Sequence, residues 1–205
     1  VRKYFRAVFP SIRNSRNEGV KAAAEAAKKF PASGDSELFA DTVVDEFTKQ
    51  FKGSLEASAL APKIKSSVDT AYKYFRLQDA EAFKDNKFPI KPKLNLVDGK
   101  AVKFVRDSDE FYFGRYVTDP KTKDALKRWL SNDWLKSGRS LRDPGELAKF
   151  RSRFGDRVGK EDYKILRVVE TSVSRSKNWG NIMTVEQAGG THVEIAGPND
   201  NITCG

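Results

Sequence analysis

The spacing of apolar positions divides the chain into helical stretches interrupted by one change of period. Residues 19–30 (GVKAAAEAAKKF) are Ala-rich and run into Pro31 and Gly34, which predicts a helix with a defined stop. Asp35 and Ser36 are N-cap residue types. After them Phe39, Val43, Phe47, Phe51 and Leu55 recur every four residues, the apolar stripe of a second helix reaching about Leu60 and packed into the core. Pro62 suits the first turn of a third helix to about Lys84, with Val68, Tyr72, Phe75 and Asp79 at helical spacing. Then the period becomes two. Residues 93–97 and 101–105 alternate around Asp98-Gly99, a dipeptide favoured in two-residue hairpin turns, and residues 111–117 (FYFGRYV) follow as a third strand or an aromatic loop.

Helical punctuation returns twice. Asp119-Pro120 supplies an N-cap and a first-turn proline for a helix closed at Gly138, and Asp143-Pro144 does the same for one closed at Gly155. Leu126, Trp129, Leu130, Trp134 and Leu135 give the first of these an aromatic face that reads as core rather than as a base-stacking platform. A last helix is predicted over residues 160–188, with Ile165, Val169, Val173 and Ile182 near one face; Gly189-Gly190 ends it, and residues 191–196 (THVEIA) read as a short strand. The expected fold class is therefore α+β, mostly helical, with a small β-hairpin insertion and a C-terminal strand. Three regions follow: a helical one over 1–90, a small β element over 91–118, and a helical domain over 119–205.

Composition adds what the periodicity leaves open. The 205 residues are 39% hydrophobic and carry a net charge of +10, and no run approaches the ~20 apolar residues of a membrane span. The longest uncharged stretch is residues 178–185, and Val1-Arg2-Lys3 leads into mixed sequence with no signal-peptide core. One cysteine, Cys204, excludes an internal disulfide framework and fits a reducing compartment. A start at Val and an end one residue past the lone Cys read as the ordered part of a longer polypeptide.

Charge is laid out in blocks. Residues 1–34 hold eight bases and two acids, residues 35–60 two bases and six acids, and residues 139–180 eleven bases, seven of them Arg, against six acids. Separate basic faces favour an anionic partner, with nucleic acid the leading class; contacts of this kind go to phosphates and are independent of base sequence. Charge density nominates Arg139, Arg142, Arg151, Arg153 and Arg157 as one patch and Arg13, Arg16, Lys28 and Lys29 as a second.

Residues able to carry covalent chemistry are few. His192 is the only histidine, so every Ser-His or Cys-His arrangement must use it. His192, Glu194, Asp200 and Cys204 are ligand types, with His192 and Cys204 the weak metal candidates, but one soft ligand does not make a zinc site. Phosphate-loop, dinucleotide, zincin and nucleophile-elbow motifs are missing. The helix face with Glu170, Ser174, Arg175 and Asn178 reads equally as a catalytic surface or as helix packing. The expectation is a protein that is not an enzyme and needs no cofactor.

The last part of the chain resembles a known family. Glu170-Thr171 on a long helix, Ala188-Gly189 at its end, an apolar strand, and then Asp200, Thr203 and Cys204 in D-x-x-T-C spacing are similar to the head-morphogenesis domain of Mu-type tailed-phage minor head proteins. The family's helix Arg falls at Val168, with Arg167 one place earlier, its Asn falls at Ser176, and the second Cys of its C-x-x-C lies beyond Gly205. The resemblance covers roughly residues 116–205. It implies a structural virion protein inside the head near the portal, present in the host cytoplasm during assembly. Its implied partners are portal or major capsid protein, with several copies around the portal, and packaged double-stranded DNA, and its implied role is in head morphogenesis and DNA packaging or ejection. Two other classes stay open: a toxin or effector fragment carrying such a domain, and a non-catalytic nucleic-acid-binding protein.

Overall fold

Side-chain caps fix most of the helix starts. In the computed structural model, which describes residues 1–31, 34–85, 94–134 and 141–190, 88% of the described residues are helical. The α-helices are α1 (Arg2–Lys29), α2 (Ser36–Glu56), α3 (Leu60–Asp85), α4 (Leu96–Arg115), α5 (Pro120–Trp129), α6 (Pro144–Gly159) and α7 (Tyr163–Gln187). A π-helical turn, Leu130–Trp134, extends α5, and a 3-10 turn, Lys160–Asp162, joins α6 to α7. The Asp35 carboxylate accepts from the backbone N–H groups of Glu37 and Leu38, Asp119 from that of Thr122, and Asp143 from that of Glu146, so each orphaned first turn is satisfied where the sequence placed a cap.

The expected α+β class is overturned: among the described residues there is no strand. Of the predicted hairpin and third strand, the described residues 94–117 form α4, the two residues before it and the turn after it, and Lys93 lies outside the described residues. Asp98 is not a turn residue but the third position of the helix. The Asn95 side chain accepts from the N–H groups of Val97 and Asp98, and the Asp98 side chain accepts from that of Asn95 at 2.8 Å, a reciprocal capping box. Downstream, Ala101, Val105, Asp109 and Phe113 are buried at four-residue spacing, a helical period. The predicted strand at 191–196 lies outside the described residues. Elsewhere the helices outrun their expected ends: α1 continues back to Arg2 through Pro10, and α6 passes Gly155 to reach Gly159.

α1 and α2 pack as an antiparallel pair, with Gly19 against Phe47, Ser15 bonded to Ser54, and Phe30 edge-on to Phe39. The α2 stripe of Phe39, Val43, Phe47 and Phe51 is buried, and Phe47 meets Phe154 of α6 edge-on at 5.5 Å. Trp129 packs at the margin of this core against Phe154. One buried cluster takes side chains from all seven helices.

α3 turns its buried face as it goes. Leu60, Ile64, Val68, Tyr72, Arg76 and Ala80 are buried at strict four-residue intervals, and each step drifts about 40° around a 3.6-residue helix. The start of α3 therefore packs on α1 and its end on α4 and α7. There the core becomes polar: Tyr72 donates to Asp98 at 2.5 Å, the Arg76 Nε lies 3.2 Å from the same carboxylate, and another Arg76 nitrogen donates to Thr184 at 2.6 Å.

Candidate nucleic-acid interface

α1 is amphipathic over its whole length, and its outer face is cationic. Val8, Ile12, Ala23 and Ala27 point inward, while Arg2, Lys3, Arg6, Arg13, Lys21 and Lys28 are exposed. At 100° per residue those six side chains fall within about 100° of one another, and Arg2, Arg6 and Arg13 within about 40°. Val20 and Ala24, at the same angles as Arg2 and Arg6, are buried, so the arginine line belongs to the first half of α1: from Arg2 to Arg13 it is about 17 Å long, about half a turn of duplex DNA. Lys21 pairs with Glu18 at 2.5 Å; no carboxylate among the described residues pairs with Arg2, Lys3, Arg6, Arg13 or Lys28. An unpaired row of this kind can neutralise successive phosphates.

Beside this face, α6 leaves a polar groove of about 800 Å³ against α1. Arg151, Lys21 and Arg16 supply its bases, Glu18 and Asp156 its acids, and Asn14, Asn17 and Ser152 neutral donors and acceptors. Its charges nearly balance, so the groove suits a polar contact but adds little net potential.

The nominated residues do not form two patches. Arg13 and Lys28 share the outer face of α1, and Lys29 is exposed about 100° further round. Arg16 is turned inward: the residue is 8% exposed and its guanidinium donates to both oxygens of Asp162, at 2.5 and 2.6 Å. On α6, Arg151 lines the groove, whereas Arg153, about 200° round the helix, lies over the Trp129 ring at 6.0 Å. Arg157 is half-buried and Arg142 exposed, and Arg139 lies outside the described residues. Arg2, Lys3 and Arg6 were not nominated. The signal for them is in the sequence, since the first seventeen residues hold five bases and no acid.

The family-motif residues that are described lie on α7. Glu170 is exposed. Thr171 lines a cleft of about 280 Å³ between α4 and α7, together with Arg167, Arg175, Tyr112 and Asp109. Arg175 donates to Ser108 at 2.5 Å, which commits part of the polar α7 face to packing on α4. Ala188 and Gly189 close α7, and Gly189 has φ +83°, the left-handed conformation that suits glycine after a helix. Asp200, Thr203, Cys204, His192 and Glu194 lie outside the described residues.

Asp109 of α4 is a buried carboxyl. It is 1% exposed, and burial pushes it up to about 6 against the opposing pull of Ser172, Tyr4 and Arg175. Tyr4 of α1 donates to it at 2.6 Å, and burial beside this carboxylate drives the phenol far above its ordinary range. Nothing in the sequence marks this pair, whose members are 105 residues apart.

Among the described residues no group of three His, Cys, Asp or Glu side chains could hold a metal ion, and no helix is long and apolar enough to cross a membrane. No protein-family model matches the chain, and neither does any curated protein or solved structure.

Proposed function

We propose that the protein is a non-catalytic structural component of a tailed-phage head that binds packaged double-stranded DNA through its phosphates and docks on portal or capsid protein. The observation that carries the DNA contact is the unpaired cationic face of α1, where Arg2, Arg6 and Arg13 fall on one side of the helix. Arginine contacts to phosphates carry no base information, so binding of this kind is independent of sequence and falls steeply with salt. The virion setting rests on the resemblance of Glu170-Thr171 and Ala188-Gly189, which α7 carries in the family's order: first the motif, then the helix end.

A salt titration of DNA binding tests the first part. Replacing Arg2, Arg6 and Arg13 together with Gln lowers the slope of log K against log[salt] by about 2.7 if each meets one phosphate. An unchanged slope removes α1 from the interface. A protein inventory of purified particles tests the second part: presence in mature heads supports the virion reading, and absence leaves a DNA-binding protein that acts elsewhere.

A further inference from the structure

α4 is apolar on two faces. The inner one holds Ala101, Val105 and Phe113, all buried. The outer one holds Val97, Phe104 and Phe111, which are 45%, 56% and 53% exposed. These three are seven residues apart. On a 3.6-residue helix such a series drifts only about 20° per step, so they form one line with about 10 Å between neighbours. Single exposed apolar side chains are ordinary on a protein surface, but a line of them on a helix whose inner face is already filled is not.

The charges beside the line decide what can cover it. Lys100 and Lys103 flank its N-terminal half and Asp107 and Glu110 its C-terminal half, all four exposed on the same side, while Arg115 at the end of α4 lies over the Phe111 ring at 4.9 Å. Lys103 and Asp107 meet at 2.5 Å, an exposed pair of small energetic weight, while Lys100 and Glu110 have no ion-pair partner among the described residues. The pattern is complementary to itself in one orientation. If a second α4 lies antiparallel about a two-fold axis beside Phe104, Val97 faces Phe111 of the second copy and the two Phe104 rings meet. Lys100 then falls next to Asp107 and Glu110 of that copy. A parallel two-fold arrangement would carry the charged side of the second copy to the opposite edge of the seam, where Lys100 meets no acid of that copy.

We propose that the outer face of α4 is the interface for a second copy of this chain, paired antiparallel about a two-fold axis at Phe104. One helix face buries less than the roughly 800 Å² per partner of a standard interface, which makes the dimer weak and reversible. This interface lies on a different helix from the cationic face of α1 and stands or falls independently of DNA binding.

Sedimentation equilibrium of the full chain, from about 1 to 200 µM, reads the dimer directly. Phe104→Glu should leave a monomer across that range, with a far-ultraviolet dichroism spectrum and unfolding transition showing that the variant is folded. Lys100→Glu and Asp107→Lys should each weaken the dimer about tenfold, and the double variant Lys100→Glu/Asp107→Lys should recover most of that loss. A photo-crosslinking benzophenone amino acid at position 104 should join two copies, with the adduct mapping to residues 97–111. A wild-type monomer at the highest concentration, a dimer untouched by Phe104→Glu, or a double variant no tighter than the single ones would each overturn the proposal. So would crosslinks confined to a single chain or to a different protein.

Discussion

Arg16 in the middle of α1 closes on Asp162 at the entrance to α7, with one guanidinium nitrogen 2.5 Å from Oδ1 and 2.6 Å from Oδ2. The arginine side chain is 10% exposed and the aspartate 28%, so the pair is partly desolvated and joins segments 146 residues apart. Removing one member leaves the other charge without its partner, which costs more than breaking a surface pair. Arg16→Ala should lower unfolding stability by about 2 to 4 kcal/mol while leaving the salt slope of DNA binding unchanged. Arg13→Gln should do the reverse, with stability within about 0.5 kcal/mol of wild type and a reduced slope. Urea denaturation and a DNA salt titration on both variants separate the two roles. Equal stability losses would place Arg13 in the fold as well.

Asp109 should make stability depend on pH in an unusual direction. Its carboxyl titrates near 6 in the folded protein because burial disfavours the charge, and near 3.9 in the unfolded chain. The folded state therefore binds this proton more tightly. The stability it contributes is full below about pH 4 and lost as pH rises through about 6, a change of about 3 kcal/mol. Asp109→Asn cannot ionise and keeps an oxygen to accept from Tyr4. The variant should be about 2 to 3 kcal/mol more stable than wild type at about pH 7.5, with most of that advantage gone at about pH 4.5. Denaturant midpoints at the two values check it; an advantage that does not shrink with acid would mean that the carboxyl titrates normally.

The residues behind these two predictions also explain which features could be read from the chain. The α2 stripe and the caps at Asp35, Asp119 and Asp143 are local signals, and each forms the element its neighbours imply. α4 misleads because its buried positions are not all apolar. Asp98 and Asp109 stand where an apolar residue would complete the period, and their partners come from elsewhere in the chain: Tyr72 and Arg76 for the first, Tyr4 for the second. With those positions scored as polar, the remaining Val and Phe alternate as in a strand. Arg76 breaks the α3 stripe in the same way.

The candidate interface divides along the same boundary. Charge counting finds that α1 is basic, and the helical period can place Arg13 and Lys28 outside, but only the fold shows that Arg16 is matched by Asp162. The arginines of α6 are dense in sequence and dispersed in space because neighbours two residues apart point about 200° away from each other on a helix. A block of charge thus becomes a patch only when its spacing follows three and four, as Arg2, Arg6 and Arg13 do.

The α1–α2 crossing rests on the absence of a side chain at Gly19. A Cβ there would lie 2.9 Å from Cδ2 of Phe47 and 3.0 Å from its backbone oxygen, and the oxygen belongs to a helix that cannot yield locally. Alanine is a better helix former by about 1 kcal/mol, yet the overlap must be relieved by spreading α1 from α2 at Phe47, whose ring also packs on Phe51 and Phe154. Gly19→Ala should therefore destabilise the protein by about 1 to 3 kcal/mol. Gly53 of α2 is the control, because a Cβ there meets nothing within 4 Å; Gly53→Ala should stabilise by about 0.5 to 1 kcal/mol. Urea midpoints at constant m-value measure both. If Gly19→Ala raised the midpoint as Gly53→Ala does, propensity alone would govern both sites and the helices would not approach so closely.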